Sequence, residues 1–267
     1  MTERGVVIVG AGQAAANVAS TLRDAGDQRP VTIIGDEGLL PYERPGLSKS
    51  VLMGKDEPEV LYVHDQGWYE DRGIETRLDD PATELDLDGQ TVRLASGASV
   101  PYADLVLATG ARPRTLDLPG LALPQVHTLR RIPDSVSLRE AFAGSQRLVV
   151  IGAGWIGLEV AAAAVEAGLD VTVLEFSDVP LRAALGDRLG NHFAQLHRSH
   201  GVDLRTGVKV SGVVGVDAVT GVRVGDEVFP ADLVVVGVGA VPNVGLAQHA
   251  GLTVDNGIVV DERLRAR

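Results

Sequence analysis

Two short glycine-rich stretches carry the plainest chemistry in this sequence. Gly10-Ala11-Gly12-Gln13-Ala14-Ala15 and Gly152-Ala153-Gly154-Trp155-Ile156-Gly157 share one spacing, G-x-G-x-x-(G/A). The first glycine of such a turn permits a tight reversal and the second lets a pyrophosphate approach the backbone. The third position must be small so that a helix can pack on a strand. Backbone N–H groups and the positive end of the helix then hold the phosphates. An acidic residue at the end of the next strand accepts hydrogen bonds from ribose hydroxyls. Asp36, or its neighbour Glu37, takes that place in the first stretch and Glu175 in the second.

The elements that must position these residues repeat as well. Each turn follows a β-branched run, VVIV or LVVI, and opens an alanine-rich helix that ends at a glycine. Each helix is followed by another strand-like run, VTIIGDE or VTVLEFS. One G-x-G-x-x-G is weak evidence; two, each between strand and helix and each with its acid, identify two dinucleotide-binding βαβ units. Glu175 repels a 2′-phosphate and no arginine stands beside it, so NADH is expected over NADPH. Residues 39–55 read as loop with a short helical piece. Alternating stretches over 74–100, with a turn at Asp88–Gly89, and over 202–230 predict small antiparallel sheets. DLVLAT and LVVVGV read as buried strands.

Composition narrows the function classes. The 267 residues carry a formal charge of −12 and only 4% aromatics, which disfavours binding to nucleic acid or to anionic membranes. No apolar run is long enough to span a bilayer, and the N-terminus does not read as a signal peptide, so a cytoplasmic location is expected. The absence of cysteine excludes a CxxC redox pair and zinc–thiolate sites. His192, His197 and His200 share a helix face only loosely and read as solvated, so no metal site is assigned.

VVIVGAGQAA, PYERPGLSK, DLVLATGARPR, LVVIGAGWIGLEVAA, ADLVVVGVGAVPN and GLTVDNGIVVDE, in this order, resemble the FAD-dependent NADH:ferredoxin reductases of bacterial oxygenase systems. The resemblance covers essentially the whole chain. It implies an α/β fold of two Rossmann-like dinucleotide-binding domains, in three-layer ββα/βαβ architecture with small antiparallel sheets inserted. Residues 1–113 would form the FAD-binding domain, 114–243 the NAD-binding domain, and 244–267 an incomplete return to the first. It further implies that Ala14 and Asp36 contact the adenosine half of FAD, that Ala82 offers main-chain contact there, and that Thr109 and Gly110 pass near the pyrophosphate. Arg44 and Arg130 are expected at the FAD as well, and Gly237, Val238 and Gly239 at a cofactor. Lys49 corresponds to a lysine beside the flavin ring. Glu159 corresponds to a glutamate facing flavin and nicotinamide, able to pair with Lys49.

The function so implied passes hydride from NADH to FAD and then single electrons to a [2Fe–2S] ferredoxin. Arg112, Arg114, Arg130 and Arg131 are candidate docking cations. The chain departs from the family pattern in three places. Trp155 stands where relatives usually have tyrosine or phenylalanine, and Gly46 where a second proline is common. The segment in which relatives place an aspartate on the flavin ribityl chain, and the domain after it, are expected beyond Arg267. A non-catalytic NADH- or FAD-binding protein, or a subunit completed by a partner chain, is therefore the alternative reading.

Overall fold

A computed structural model of the chain describes residues 4–266. The chain divides into two compact units. The first takes residues up to Glu43, then Leu61–Arg112, then Val241 onward; the second takes Arg44–Val60 and Pro113–Ala240.

In the first unit β1 (Gly5–Val9) leads into α1 (Gln13–Asp24) and back through β2 (Val31–Ile34), parallel to β1. A short α2 (Gln66–Asp71) precedes β3 (Ile74–Arg77), β4 (Ala82–Asp86), β5 (Thr91–Leu94) and β6 (Ser99–Leu107). The sheet order is β3-β2-β1-β6-β5-β4. Strand alternation explains how one sheet serves two layers. Val6 and Ile8 pack with Ala15 and Ala19 of α1, whereas Val7 and Val9 pack with Leu85, Val92 and Leu94. The alternation over 74–100 predicts one antiparallel sheet, and Ile74–Arg77 departs from it: β3 extends the parallel sheet beside β2. The antiparallel part is not separate either. Ser99–Pro101 of β6 pairs with β5, and Asp104–Leu107 pairs with β1.

β7 (Ala111–Pro113) then leads into the second unit, which holds β8 (Val126–His127), α3 (Ile132–Ala143), β9 (Arg147–Ile151), α4 (Trp155–Glu166) and β10 (Asp170–Leu174). It continues through α5 (Arg182–Ser199), β11 (Asp203–Arg205), β12 (Val210–Gly215), β13 (Val219–Val224), β14 (Glu227–Pro230) and β15 (Leu233–Val236). Its parallel sheet has the order β11-β10-β9-β15-β8. Within the alternating stretch 202–230, β12, β13 and β14 form a second, antiparallel sheet, whereas Asp203–Arg205 departs from the antiparallel expectation and pairs in parallel with β10; Val213, Val222 and Phe229 pack on Val149, Ile151 and Val236. β16 (Ala240–Pro242) pairs with β7, and α6 (Gly245–His249) follows in the first unit.

Residues 44–60 pack with the second unit rather than with the first, where the sequence order places them. The Ser135 hydroxyl of α3, fully buried, donates to the Leu47 carbonyl at 2.7 Å, and Lys55 pairs with Glu166 of α4 at 2.7 Å.

One buried group in the first core lacks a partner. The Tyr69 hydroxyl makes no hydrogen bond, and burial pushes its pKa up to about 12. Removing an unsatisfied buried hydroxyl while keeping the ring is neutral to stabilising, by up to about 1 kcal/mol. Thermal melts of Tyr69→Phe are therefore expected to show an equal or higher Tm.

Candidate functional site

The second unit holds a half-open cavity of about 650 Å³, lined by Gly152–Trp155, Leu174–Ser177 and Gly237–Gly239 among others. The local sequence dictates its floor. Gly152 takes φ 102°, a conformation that L side chains rarely adopt, and a Cβ there would stand 2.6 Å from the Gly237 carbonyl oxygen. A Cβ on Gly157 would stand 2.1 Å from the Gly152 carbonyl oxygen, so this helix–turn contact requires glycine. Gly154 differs. It is the N-cap of α4, and a Cβ there would meet only the Gly237 oxygen, at 3.8 Å. Its smallness leaves open space at the helix N-terminus, where a pyrophosphate fits.

Glu175 does more than offer a carboxylate to a ribose. Its Oε2 accepts the Ala153 N–H at 2.6 Å and its Oε1 the Ser177 N–H at 2.7 Å. The acid thus ties the glycine-rich turn to the end of β10. Glu175→Gln places an amide nitrogen against one of those N–H donors. Ala153 is 1% exposed, so water cannot replace the lost bond, and a cost of about 1–3 kcal/mol follows. Chemical denaturation of the variant should show that loss, and calorimetry should show weaker dinucleotide binding.

Lys49 and Glu159 meet. Lys49 Nζ lies 2.7 Å from Oε1 of Glu159, the fifth residue of α4. Ser48 Oγ donates to Glu159 Oε2, so both carboxylate oxygens are held from the 44–60 segment. That segment is anchored again where Arg44 Nη1 donates to the Arg130 carbonyl at 2.5 Å. Asp134 accepts the Arg130 and Arg131 N–H groups at 2.8 Å each, fixing the entry to α3. Trp155 and Ile156 stand half-exposed at the start of α4, with the Trp155 ring edge-on to Phe193.

The same turn recurs in the first unit. Gly10 takes φ 113°, with a Cβ position 2.1 Å from the Ala108 oxygen; Gly12 caps α1 with nothing within 4 Å of its Cβ position. Gln13 and Ala14 are exposed, and Ala15 is fully buried. Gln13 Nε2 donates to Glu43. Asp36 is exposed, and Glu37, partly buried, accepts the Tyr42 hydroxyl at 2.6 Å. Ala82 opens β4. Thr109 Oγ1 donates to the Asn243 carbonyl, Asn243 Nδ2 donates to the Thr109 carbonyl, and the Asn243 N–H donates to Gly110, a clasp that joins two distant stretches of the unit. This open glycine at a helix N-terminus fits a pyrophosphate as well.

Sequence reasoning misses Ser48, Asn243, Arg182 and Lys209. Arg182 and Lys209 line the same cavity as Glu175. Ser48 and Asn243 lie inside quoted motifs, SK and VPN, but nothing local marks their long-range bonds.

The family model described as pyridine nucleotide-disulphide oxidoreductase matches residues 4–267. Rhodocoxin reductase of Rhodococcus erythropolis is 45% identical over 240 residues, 89% of this chain and 56% of the relative. The crystal structure of the ferredoxin reductase for the CYP199A2 system of Rhodopseudomonas palustris superposes with a TM-score of 0.95 at 40% identity, covering 98% of this chain and 65% of that one. The covalent putidaredoxin reductase–putidaredoxin complex gives 0.95 at 38% identity, with coverages of 98% and 65%. The chain thus spans less than two thirds of the length of these relatives.

Proposed function

The chain belongs to the pyridine nucleotide-disulphide oxidoreductase family, and on that footing we propose that it is the dinucleotide-handling part of a flavin-dependent NADH:ferredoxin reductase. The observation that carries this reading is the pair of unlike glycine turns. One sits at a half-open pocket beside Glu175, which two backbone N–H groups hold, and the other follows β1 with Asp36 exposed beyond the next strand. In this reading Gly152, Gly154, Gly157, Glu175 and Gly237–Gly239 hold NADH. Gly10, Gly12, Ala14, Asp36, Ala82, Thr109 and Gly110 hold the adenosine and pyrophosphate of FAD. The FAD-binding domain comprises 1–113 and 244–267 and the NAD-binding domain 114–243, with 44–60 packed against the latter.

FAD, when bound, supplies acceptance of hydride from nicotinamide and release of single electrons to a [2Fe–2S] ferredoxin that serves an oxygenase. The side chains bind and orient; none need exchange a proton with substrate. Lys49 and Glu159, held by Ser48, orient the reacting rings. Trp155 lends an apolar edge at the start of α4. Arg114 and Arg131, exposed in the second unit, are candidate cations for an acidic ferredoxin. Relatives support the partner class: one bears the name anthranilate 1,2-dioxygenase system ferredoxin–NAD(+) reductase component, and another was crystallised joined to putidaredoxin. No helix among the described residues is long and apolar enough to cross a membrane, and a cytoplasmic site of action belongs to the same proposal.

The visible spectrum tests the reading first, followed by NADH-driven reduction of ferricyanide and of a [2Fe–2S] ferredoxin. A yellow protein with both activities is expected. A colourless protein that binds NADH but takes up no FAD would overturn it.

A further inference from the structure

The cavity beside Glu175 carries two cations with different fates. Lys209 follows Val208, whose N–H donates to the Glu175 carbonyl at 3.0 Å, so this lysine stands at the Glu175 end of the cavity. Among the described residues it has no carboxylate partner, and it attracts any phosphate that enters. Arg182 reaches the same end by another route. Leu181 donates its N–H to the Ala153 carbonyl at 3.3 Å, and Ala153 in turn donates to Glu175. Arg182 is therefore the residue after one bonded to the glycine turn itself.

The Arg182 guanidinium is turned to carboxylates. Its Nε donates to Asp187 Oδ1 at 2.6 Å, and Asp178 Oδ2 lies 3.8 Å from its Nη1. A guanidinium is the planar fork that grips a phosphate bidentately, which an ammonium cannot do. Gly186, at φ 70°, breaks α5 just before Asp187 and so sets the aspartate in place to reach back to Arg182.

We propose that Asp187 is a specificity-determining residue of this cavity: by occupying Arg182 it withholds a guanidinium from a 2′-phosphate, so that dinucleotides with an unphosphorylated adenosine ribose are favoured. Glu175 discriminates by repulsion, and Asp187 by removing the attractive partner. This rests on reading the cavity as the nicotinamide-dinucleotide site. The pair is half-exposed, at 47% and 64%, so the latch is weak, and opening it changes affinity moderately.

Calorimetry with ADP-ribose and 2′-phospho-ADP-ribose tests the proposal, because the two probes differ only in the phosphate and need no flavin. The wild type is expected to prefer ADP-ribose. Asp187→Asn should raise the affinity for 2′-phospho-ADP-ribose about tenfold, the worth of one charge-assisted hydrogen bond, and change that for ADP-ribose by less than about twofold. Asp187→Ser, which keeps a helix-start residue type, should do the same. Arg182→Ala combined with Asp187→Asn should erase the gain. A folded Asp187→Asn or Asp187→Ser protein without the gain, or a gain that survives loss of Arg182, overturns the proposal and leaves the cavity reading intact. A wild type that binds neither probe overturns the cavity reading and the proposal with it.

Discussion

Gly157→Val is expected to cost the second unit its native structure, whereas Gly154→Ala, three residues earlier, should leave the fold intact and weaken dinucleotide binding. The first glycine faces backbone: its Cβ position is 2.1 Å from the Gly152 oxygen and 3.3 Å from the Val150 side chain. Neither can yield without separating α4 from β9. Overpacking a core costs about 1–3 kcal/mol where side chains can shift, and a clash with fixed backbone exceeds that. A domain stable by about 5–15 kcal/mol has little room for such a loss. Gly154 has an ordinary φ of −78° and no close neighbour, so alanine fits there. Its methyl group would occupy the approach of the pyrophosphate and weaken binding by about tenfold or more. Circular dichroism melts and calorimetry with ADP-ribose separate the two effects. A folded Gly157→Val protein would contradict the packing argument, and undiminished affinity in Gly154→Ala would contradict the placement of the phosphates.

The two βαβ units were legible because every signal for them is local. The β-branched run, the glycine turn and the alanine face of the helix lie within some twenty residues, and the turn admits few residue types. Ile74–Arg77 was less legible. Its burial alternates only weakly, from buried Ile74 to exposed Glu75, and an edge strand of a parallel sheet looks the same as an antiparallel one in such a short run. The packing of 44–60 was illegible for another reason. Its bonds run to Ser135 and Glu159, 88 and 111 residues away, and no periodicity encodes contacts of that range. Glu175 was half legible: its place at the strand end marks a ribose acid, but its grip on the Ala153 and Ser177 N–H groups depends on how the turn comes back beside it. Arg182 is illegible in the sequence because no cation directly follows Glu175, and the chain returns one to the same cavity seven residues on.

Lys49→Met is expected to slow NADH-driven flavin reduction about ten- to hundredfold while leaving stability nearly unchanged. The Lys49–Glu159 pair is partly exposed, at 49% and 29%, and pairs of that kind contribute about 0–1 kcal/mol to folding. A purely structural role would therefore leave little to lose. What the pair does hold is geometry. Glu159 rides on α4, just past its first turn, and two neighbouring residues of one loop, Ser48 and Lys49, grip its two oxygens. Removing the ammonium leaves Ser48 to hold one oxygen and frees the other to turn. A displacement of about 1 Å at a hydride-transfer site costs on the order of a hundredfold. Glu159→Gln should slow the same step, since the amide keeps the Ser48 bond through its oxygen but offers Lys49 no charge. If the two side chains act as one device, Lys49→Met with Glu159→Gln should be no slower than the worse single variant. Stopped-flow reduction measures the rates, and melts measure the stability. Additive losses would mean that Lys49 and Glu159 act separately, and unchanged rates in both single variants would remove the pair from the reaction altogether.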